Sequence, residues 1–252
     1  MKCHCCSLEY KRLSETSWQG IKYILKNVYQ CSSCSHIHRV YDGDSIEYHQ
    51  NIYRNIERRD KSEINEDGEV QSLFHEKRKD MCEKRMSFVQ CYLEESDTCL
   101  DIGAGAGTYA NLLRQEVGDV ECTELAPALI NELKRLNFKV YEDDFLSIKF
   151  DKKYDVVSAW HVLEHVEDIK SFMKKTYQLS NRYVIIEVPL LKALNNKGKV
   201  RKLTDPKDEE YDGHTHYFTE QSFRELIKDY FNIVILKEGV QSPSLFSVLE
   251  KK

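Results

Sequence analysis

The chain has 252 residues, with 37 Lys plus Arg against 42 Asp plus Glu, a formal net charge of −5 and 41% hydrophobic residues. This size suits one domain with an appendage, or two unequal domains, and the acidic excess disfavours a nucleic-acid partner held by charge. No apolar run reaches the roughly 18 residues that a membrane helix needs, and Met1-Lys-Cys-His-Cys-Cys6 lacks the apolar core of a signal peptide; no membrane partner and a cytoplasmic location are therefore expected, with the cysteines reduced or metal-bound.

Residues 1–41 form a cysteine-rich module with β-like stretches near 22–30 and 37–41. The two-residue gaps in Cys3…Cys6 and Cys31…Cys34 let each pair make one rim of a tetrahedral thiolate site. The 24 residues between the pairs can return the chain as a hairpin. So small a module has too little core to fold unaided, and bound zinc would supply the missing energy. Cys5 is a complication, able to replace Cys3 or Cys6 or to stay free. His4, His36 and His38 are further possible ligands. Four reduced thiols in a poorly ordered arm are the bland alternative, and a redox pair lacks thioredoxin-like surroundings. Cys82, Cys91, Cys99 and Cys122 read as small buried hydrophobes.

Residues 42–95 read as a helical linker. A polar stretch carries Tyr48, Ile52, Tyr53 and Ile56, Asn65-Glu-Asp-Gly68 breaks it, and residues 71–95 form a helix whose partly regular apolar face packs on the sheet. From residue 96 strands and helices alternate: strands near 98–102, 119–124, 138–142, 154–160 and 182–188, helices near 108–117, 127–136 and 167–179, with a turn at 161–165. Asp168 falls in the first turn of its helix. Residues 191–213 are polar and loop-like, in the place of a lid over a pocket. Thr219 caps a helix to Lys228 with Ser222 inside it, and Phe231–Lys237 and Ser244–Leu249 close the chain as an antiparallel pair.

The chemistry concentrates at the carboxyl ends of the strands. Asp101-Ile-Gly-Ala-Gly-Ala-Gly107 brings bare backbone against a ligand directly after the first strand, with the amide end of the next helix facing the same place. Gly105-Ala-Gly107-Thr-Tyr-Ala110 formally matches a dinucleotide fingerprint. Only one good nucleotide-binding half follows, however, without a separate substrate domain. Acids then recur at strand ends, Glu124 after the second and Asp143 and Asp144 after the third, where they can accept hydrogen bonds from ribose and adenine. His161-Val-Leu-Glu-His165 follows the fourth strand.

With these motifs in order, residues 88–250 resemble the class I S-adenosylmethionine-dependent methyltransferases. The resemblance implies an α/β, Rossmann-like sheet with helices on both faces and a C-terminal antiparallel pair, within a domain of residues 96–252. It implies that Gly103, Ala104, Gly105 and Gly107 seat the methionine portion, that Asp101 holds the amino end, and that Glu124 with Leu125 meets the ribose. Asp143, Asp144 and Phe145 would face the adenine, with Tyr109, Trp160 and His161 completing the pocket. Gly213-His-Thr-His-Tyr-Phe-Thr219 resembles the segment that follows the lid in these enzymes. His214 is therefore the first candidate for the base, with His161 and His216 behind it and His165 structural. A subgroup acting on sugars and natural products carries an N-terminal zinc module, which implies zinc on Cys3, Cys6, Cys31 and Cys34. The expected reaction is transfer of a methyl group to a small-molecule acceptor, at oxygen before nitrogen or carbon. RNA or protein methylation, and a non-catalytic binding protein, stay open as alternatives, as does the oligomeric state.

Overall fold

The computed structural model describes residues 1–12, 28–40, 72–190, 214–240 and 243–252, with side chains in the first helix from Arg78 onward. The expected lid at 191–213, the linker at 42–70 and the stretch 22–27 lie outside the described residues.

The described residues form two sheets. The larger has seven strands: β4 (Thr98–Ile102), β5 (Asp119–Thr123), β6 (Lys139–Tyr141), β7 (Tyr154–Trp160), β8 (Ser180–Pro189), β10 (Phe231–Glu238) and β11 (Ser244–Lys251). Their spatial order is β10-β11-β8-β7-β4-β5-β6. The five strands from β6 to β8 run parallel, and β11 pairs antiparallel with both β8 and β10. Because β4 lies between β5 and β7, the strand order reverses beside it, which opens a crevice at its carboxyl end. All five parallel strands lie where the sequence places them, to within two residues at each end.

Side-chain alternation divides the core. Leu100, Ile102, Val157 and Ala159 point to one face, where α4 (Ile169–Leu179) and α5 (Glu220–Ile227) bury Phe172 and Phe223. Cys99, Val156 and Trp160 point to the other, beneath α1 (Ser72–Val89) and α2 (Thr108–Leu113). α3 (Pro127–Arg135) begins with its proline in the first turn, where no amide hydrogen is missed. Asp168 is the N-cap of α4, accepting from Ser171 N at 3.0 Å, and so stands one position before the turn in which the sequence puts it. Thr219 and Ser222 form a reciprocal capping box on α5. Cys82, Cys99 and Cys122 are buried as expected. Cys91 is exposed, a correction explained by the short 3-10 turn Gln90–Tyr92, which has no buried residue.

The smaller sheet joins the cysteine module to the segment around His216. β1 (Tyr10–Arg12), β2 (Val28–Cys31) and β3 (Ile37–Arg39) run antiparallel, and β9 (His216–Tyr217) adds to β3 as the fourth strand. Ile37 pairs with Tyr217 and His38 with His216. The module is thus not a free appendage, because its last strand is completed by the segment that carries His214.

Candidate functional site

The turn after β4 holds Gly103, Gly105 and Gly107 at φ of 65°, 60° and 79°. It is pinned from β5: Gly103 N donates to Thr123 Oγ1 at 3.1 Å and Ala104 N to the Thr123 carbonyl at 3.0 Å. Glu124 completes the clamp, with Oε2 accepting from Gly105 N at 2.9 Å and Oε1 from Leu125 N at 2.8 Å and Ala126 N at 3.0 Å. Glycine turn and acid are therefore in direct contact. Asp143 and Asp144 stand exposed after β6 at the same edge of the sheet, each accepting from a backbone amide of its own turn.

Four expected cofactor residues lie deeper. Asp101 is 2% exposed and accepts from Ser158 Oγ at 2.6 Å, bracing β4 against β7. Burial pushes its carboxyl up to about 7, against the pull of Ser158 and Arg85. Phe145 packs its ring on Phe172. Trp160 stacks on Phe246 beneath the guanidinium of Arg85, and Tyr109 meets it edge-on at 4.8 Å. Tyr109 OH and Trp160 Nε1 are buried without hydrogen-bond partners.

The strand-four histidine is held in an ionic network. His161 takes φ of 56°, a left-handed strain uncommon for a non-glycine residue and frequent at functional sites. Its Nε2 lies 3.3 Å from Glu187 Oε1 and its Nδ1 3.2 Å from Glu164 Oε1. Burial opposes its positive charge, but the two carboxylates win and raise it to about 9. Glu187, fully buried, also receives Ser244 Oγ at 2.6 Å and Arg85 Nε at 3.3 Å. Burial works against that carboxylate too, yet His161, Arg85 and Ser244 hold it at about 2. His165 Nε2 stands 3.8 Å from Glu164 Oε1, and the His165 and His214 rings meet at 4.8 Å. Thr215 fixes this approach, donating to the Glu164 carbonyl from N at 2.9 Å and Oγ1 at 3.0 Å. Val162 joins the group to the glycine turn, since a Cβ on Gly103 would stand 2.7 Å from Val162 Cγ2.

His161, His165 and His214 are thus brought together, while His216 is not. It is fully buried in β9, stacked on His38 at 4.6 Å and His36 at 5.1 Å, with Nε2 toward the Glu167 carbonyl. It faces the cysteine module, and burial pushes it well below the usual histidine range. The sequence reading passed over Glu187 and Arg85. Glu187 had a signal: it is the one charged residue in the run Tyr183-Val-Ile-Ile-Glu-Val-Pro189 of a two-sided strand. Arg85 had none, on a helix with many charges.

The four cysteines converge. Cys3 Sγ lies 3.6 Å from Cys34 Sγ and Cys6 Sγ 3.4 Å from Cys31 Sγ, and all four sulfurs fall within 4.8 Å of one another. Those gaps exceed a disulfide and approach the roughly 3.8 Å edge of a thiolate tetrahedron around zinc, given Zn–S bonds of about 2.3 Å. Each pair closes the same turn. Ser7 N donates to the Cys3 carbonyl and Ser35 N to the Cys31 carbonyl, both at 3.0 Å, with Ser7 and Ser35 at φ of 64° and 59°. Hydrogen bonds from Cys34 and Cys5 draw Cys3 strongly toward the thiolate. Cys5 stands outside the tetrad, its amide donating to Cys3 Sγ at 3.4 Å and its own thiol raised by burial. The donor set fits zinc.

Comparison with known proteins agrees with this architecture. The profile of a family described as "Methyltransferase domain" matches residues 73–233. The chain is similar to the magnesium protoporphyrin IX methyltransferase of Synechocystis, solved with bound S-adenosylmethionine, at 14% identity and TM-score 0.59, covering 84% of this chain and 99% of that one. It is similar to DesVI of Streptomyces venezuelae at 16% identity and TM-score 0.56, covering 71% and 96%. A Haloferax volcanii methyltransferase complex with the Trm112 activator matches at 13% identity and TM-score 0.57, covering 71% and 94%. Among curated proteins, none matches the sequence.

Proposed function

The chain belongs to the methyltransferase-domain family and is an S-adenosylmethionine-dependent methyltransferase; from that premise we propose that it methylates an oxygen of a small molecule, a sugar, nucleotide sugar or secondary metabolite, with His214 receiving the acceptor's proton. The single observation that carries the choice of base is the contrast between His161 and His214. His161 is locked between Glu164 and Glu187 and already holds its proton at neutral pH. His214 is half-buried, its ring 4.8 Å from that of His165.

In this reading the glycine turn, Glu124 and Asp144 hold the donor, and Asp101 acts through the strand it braces. Methyl transfer is an in-line displacement, so alignment supplies much of the acceleration and removal of a proton the rest. A neighbour named for a porphyrin acceptor supports a small-molecule substrate, as does the chain's acidic balance. Zinc is proposed on Cys3, Cys6, Cys31 and Cys34, where it would stabilise the module of residues 1–41. The other proposed divisions are the linker at 42–95 and the catalytic domain at 96–252. Among the described residues no helix is long and apolar enough to cross a membrane.

The test uses an acceptor panel of sugars and phenols with labelled methyl donor. His214→Ala should lower kcat by on the order of 10²–10⁴ and leave donor affinity near the wild-type value. Normal turnover of His214→Ala, with a large loss for His161→Gln, would move the base to the end of β7.

A further inference from the structure

We propose that Glu164, His165 and His214 bind one divalent cation, at a site separate from the four-cysteine cluster. The proposal rests on the methyl-transfer reading for its role, but not for its existence.

One carboxylate oxygen and two imidazole nitrogens from these residues all lie within 4.8 Å of one another. Glu164 Oε1 and His165 Nε2 are 3.8 Å apart, a normal separation for two ligands each about 2.1 Å from one ion. One carboxylate and two imidazoles suit Zn²⁺, Mn²⁺ or Fe²⁺ and leave coordination positions open for water or substrate. A second observation points the same way. Glu164 is fully buried; its Oε2 has no hydrogen-bond partner, and its Oε1 faces the His161 imidazole at 3.2 Å. A buried carboxylate with one oxygen left unbonded is costly, and a bound cation would satisfy it. The His161 ring is divided between two acids, its Nε2 lying 3.3 Å from Glu187 Oε1. The backbone around the group is fixed, because Thr215 N and Oγ1 both bond the Glu164 carbonyl. His165 and His214 are half-buried, so the open side of the ion would face solvent and acceptor.

The ion's place beside Val162 and the glycine turn gives it a task. It would hold the acceptor hydroxyl oxygen and lower its pKa, so that the proton leaves for solvent. The O–C bond then forms as the donor's C–S bond breaks, and the sulfonium becomes a neutral thioether. The deprotonation assigned to His214 is in that case performed through the ion it helps to hold.

Mn²⁺ is the probe, because a hard ion avoids the thiolate cluster. Titration of the full-length protein, followed by loss of the free Mn²⁺ paramagnetic resonance signal, should show one ion bound per chain. His214→Ala and Glu164→Gln should each weaken it at least about tenfold. Donor affinity measured on the same samples reports whether each variant is folded. If Glu164→Gln does not fold, His214→Ala decides alone. Absence of Mn²⁺ binding at millimolar concentration, or equal affinity in wild type and His214→Ala, overturns the cation site. If turnover of His214→Ala is then still low, the base reading survives by itself. Failure of the wild type to bind the methyl donor would sink the methyl-transfer reading, while the Mn²⁺ titration would still decide the site.

Discussion

Gly103, Gly105 and Gly107 share a left-handed backbone but not a reason for lacking a side chain. A Cβ at Gly103 would meet Val162 at 2.7 Å and one at Gly107 would meet Leu133 Cδ2 at 2.8 Å, so the fold itself requires these two. At Gly105 the nearest atom is Arg78 Nη1 at 3.5 Å, an ordinary contact distance. Gly105→Ala should therefore cost only about 1 kcal/mol of stability for its backbone conformation, yet weaken donor binding by on the order of tenfold, about 1.4 kcal/mol. Calorimetric donor titration beside thermal unfolding separates the two effects; unchanged affinity would count against a donor resting on this glycine. The glycines and Glu124 were legible because their chemistry is local in sequence. Glu121 was not, since its partners come from two other strands and a loop. Lys152 and Lys139 reach its carboxylate at 2.7 and 3.1 Å, and Tyr154 and Tyr141 donate to it at 2.5 and 2.9 Å. Burial opposes its charge, but these four groups hold it at about 2, below the ordinary 4.5. A depressed acid stabilises the fold above its unfolded pKa and loses that contribution as pH falls through the folded one. Stability should then decline between about pH 4.5 and 2, and Glu121→Gln should flatten that limb while lowering stability at pH 7. Urea unfolding across pH checks both; an unchanged acid limb would refute the assignment.

Among the elements, β9 carries the most consequence for its size. Two residues cannot display an alternation, and their partner β3 is remote in sequence, so the sequence reading had no signal for this strand. It grouped His216 with His214, but His214 precedes the strand and meets His165, while His216 lies within it against His36 and His38. The caps were easier: Thr219 and Ser222 are three apart and answer each other's backbone. Beyond the β3 pairing, Thr219 Oγ1 donates to the Cys34 carbonyl at 2.7 Å and Arg39 N to the Thr215 carbonyl at 2.8 Å. The second cysteine turn and β3 therefore hold the two ends of the segment that follows His214. Replacing Cys31 and Cys34 together with Ser should release zinc and loosen residues 214–219. Turnover should fall by about tenfold or more, with donor affinity nearly unchanged because the glycine turn is held by β5. Elemental analysis, donor titration and steady-state rates on one preparation test this. Normal turnover in a metal-free variant would show the module to be a passenger.

For the whole molecule, legibility followed burial. β4, β7 and β8 lie inside the large sheet with apolar neighbours on both faces, and their runs of Val, Ile, Leu and Ala announced them. The small sheet has no such runs, and its order depends on pairings across the chain. Hydrogen exchange should rank the two accordingly. Amides of β4, β7 and β8 should exchange slowest, those of the edge strand β10, with Ile233 and Val234 exposed, faster. Chelation should accelerate β1, β2, β3 and β9 while sparing the large sheet. Uniform acceleration would mean that the sheets unfold as one unit. The pairing of Ile37 with Tyr217 also has a consequence in time. The two residues are separated by roughly 180 positions, which a ribosome elongating at about 5–20 residues per second covers in roughly 9–36 s. Throughout that interval the nascent chain presents β3 as an open edge, a template for wrong partners. Substitutions that make this strand stickier should therefore be felt first as soluble yield lost during synthesis, among chains that never reach the assay.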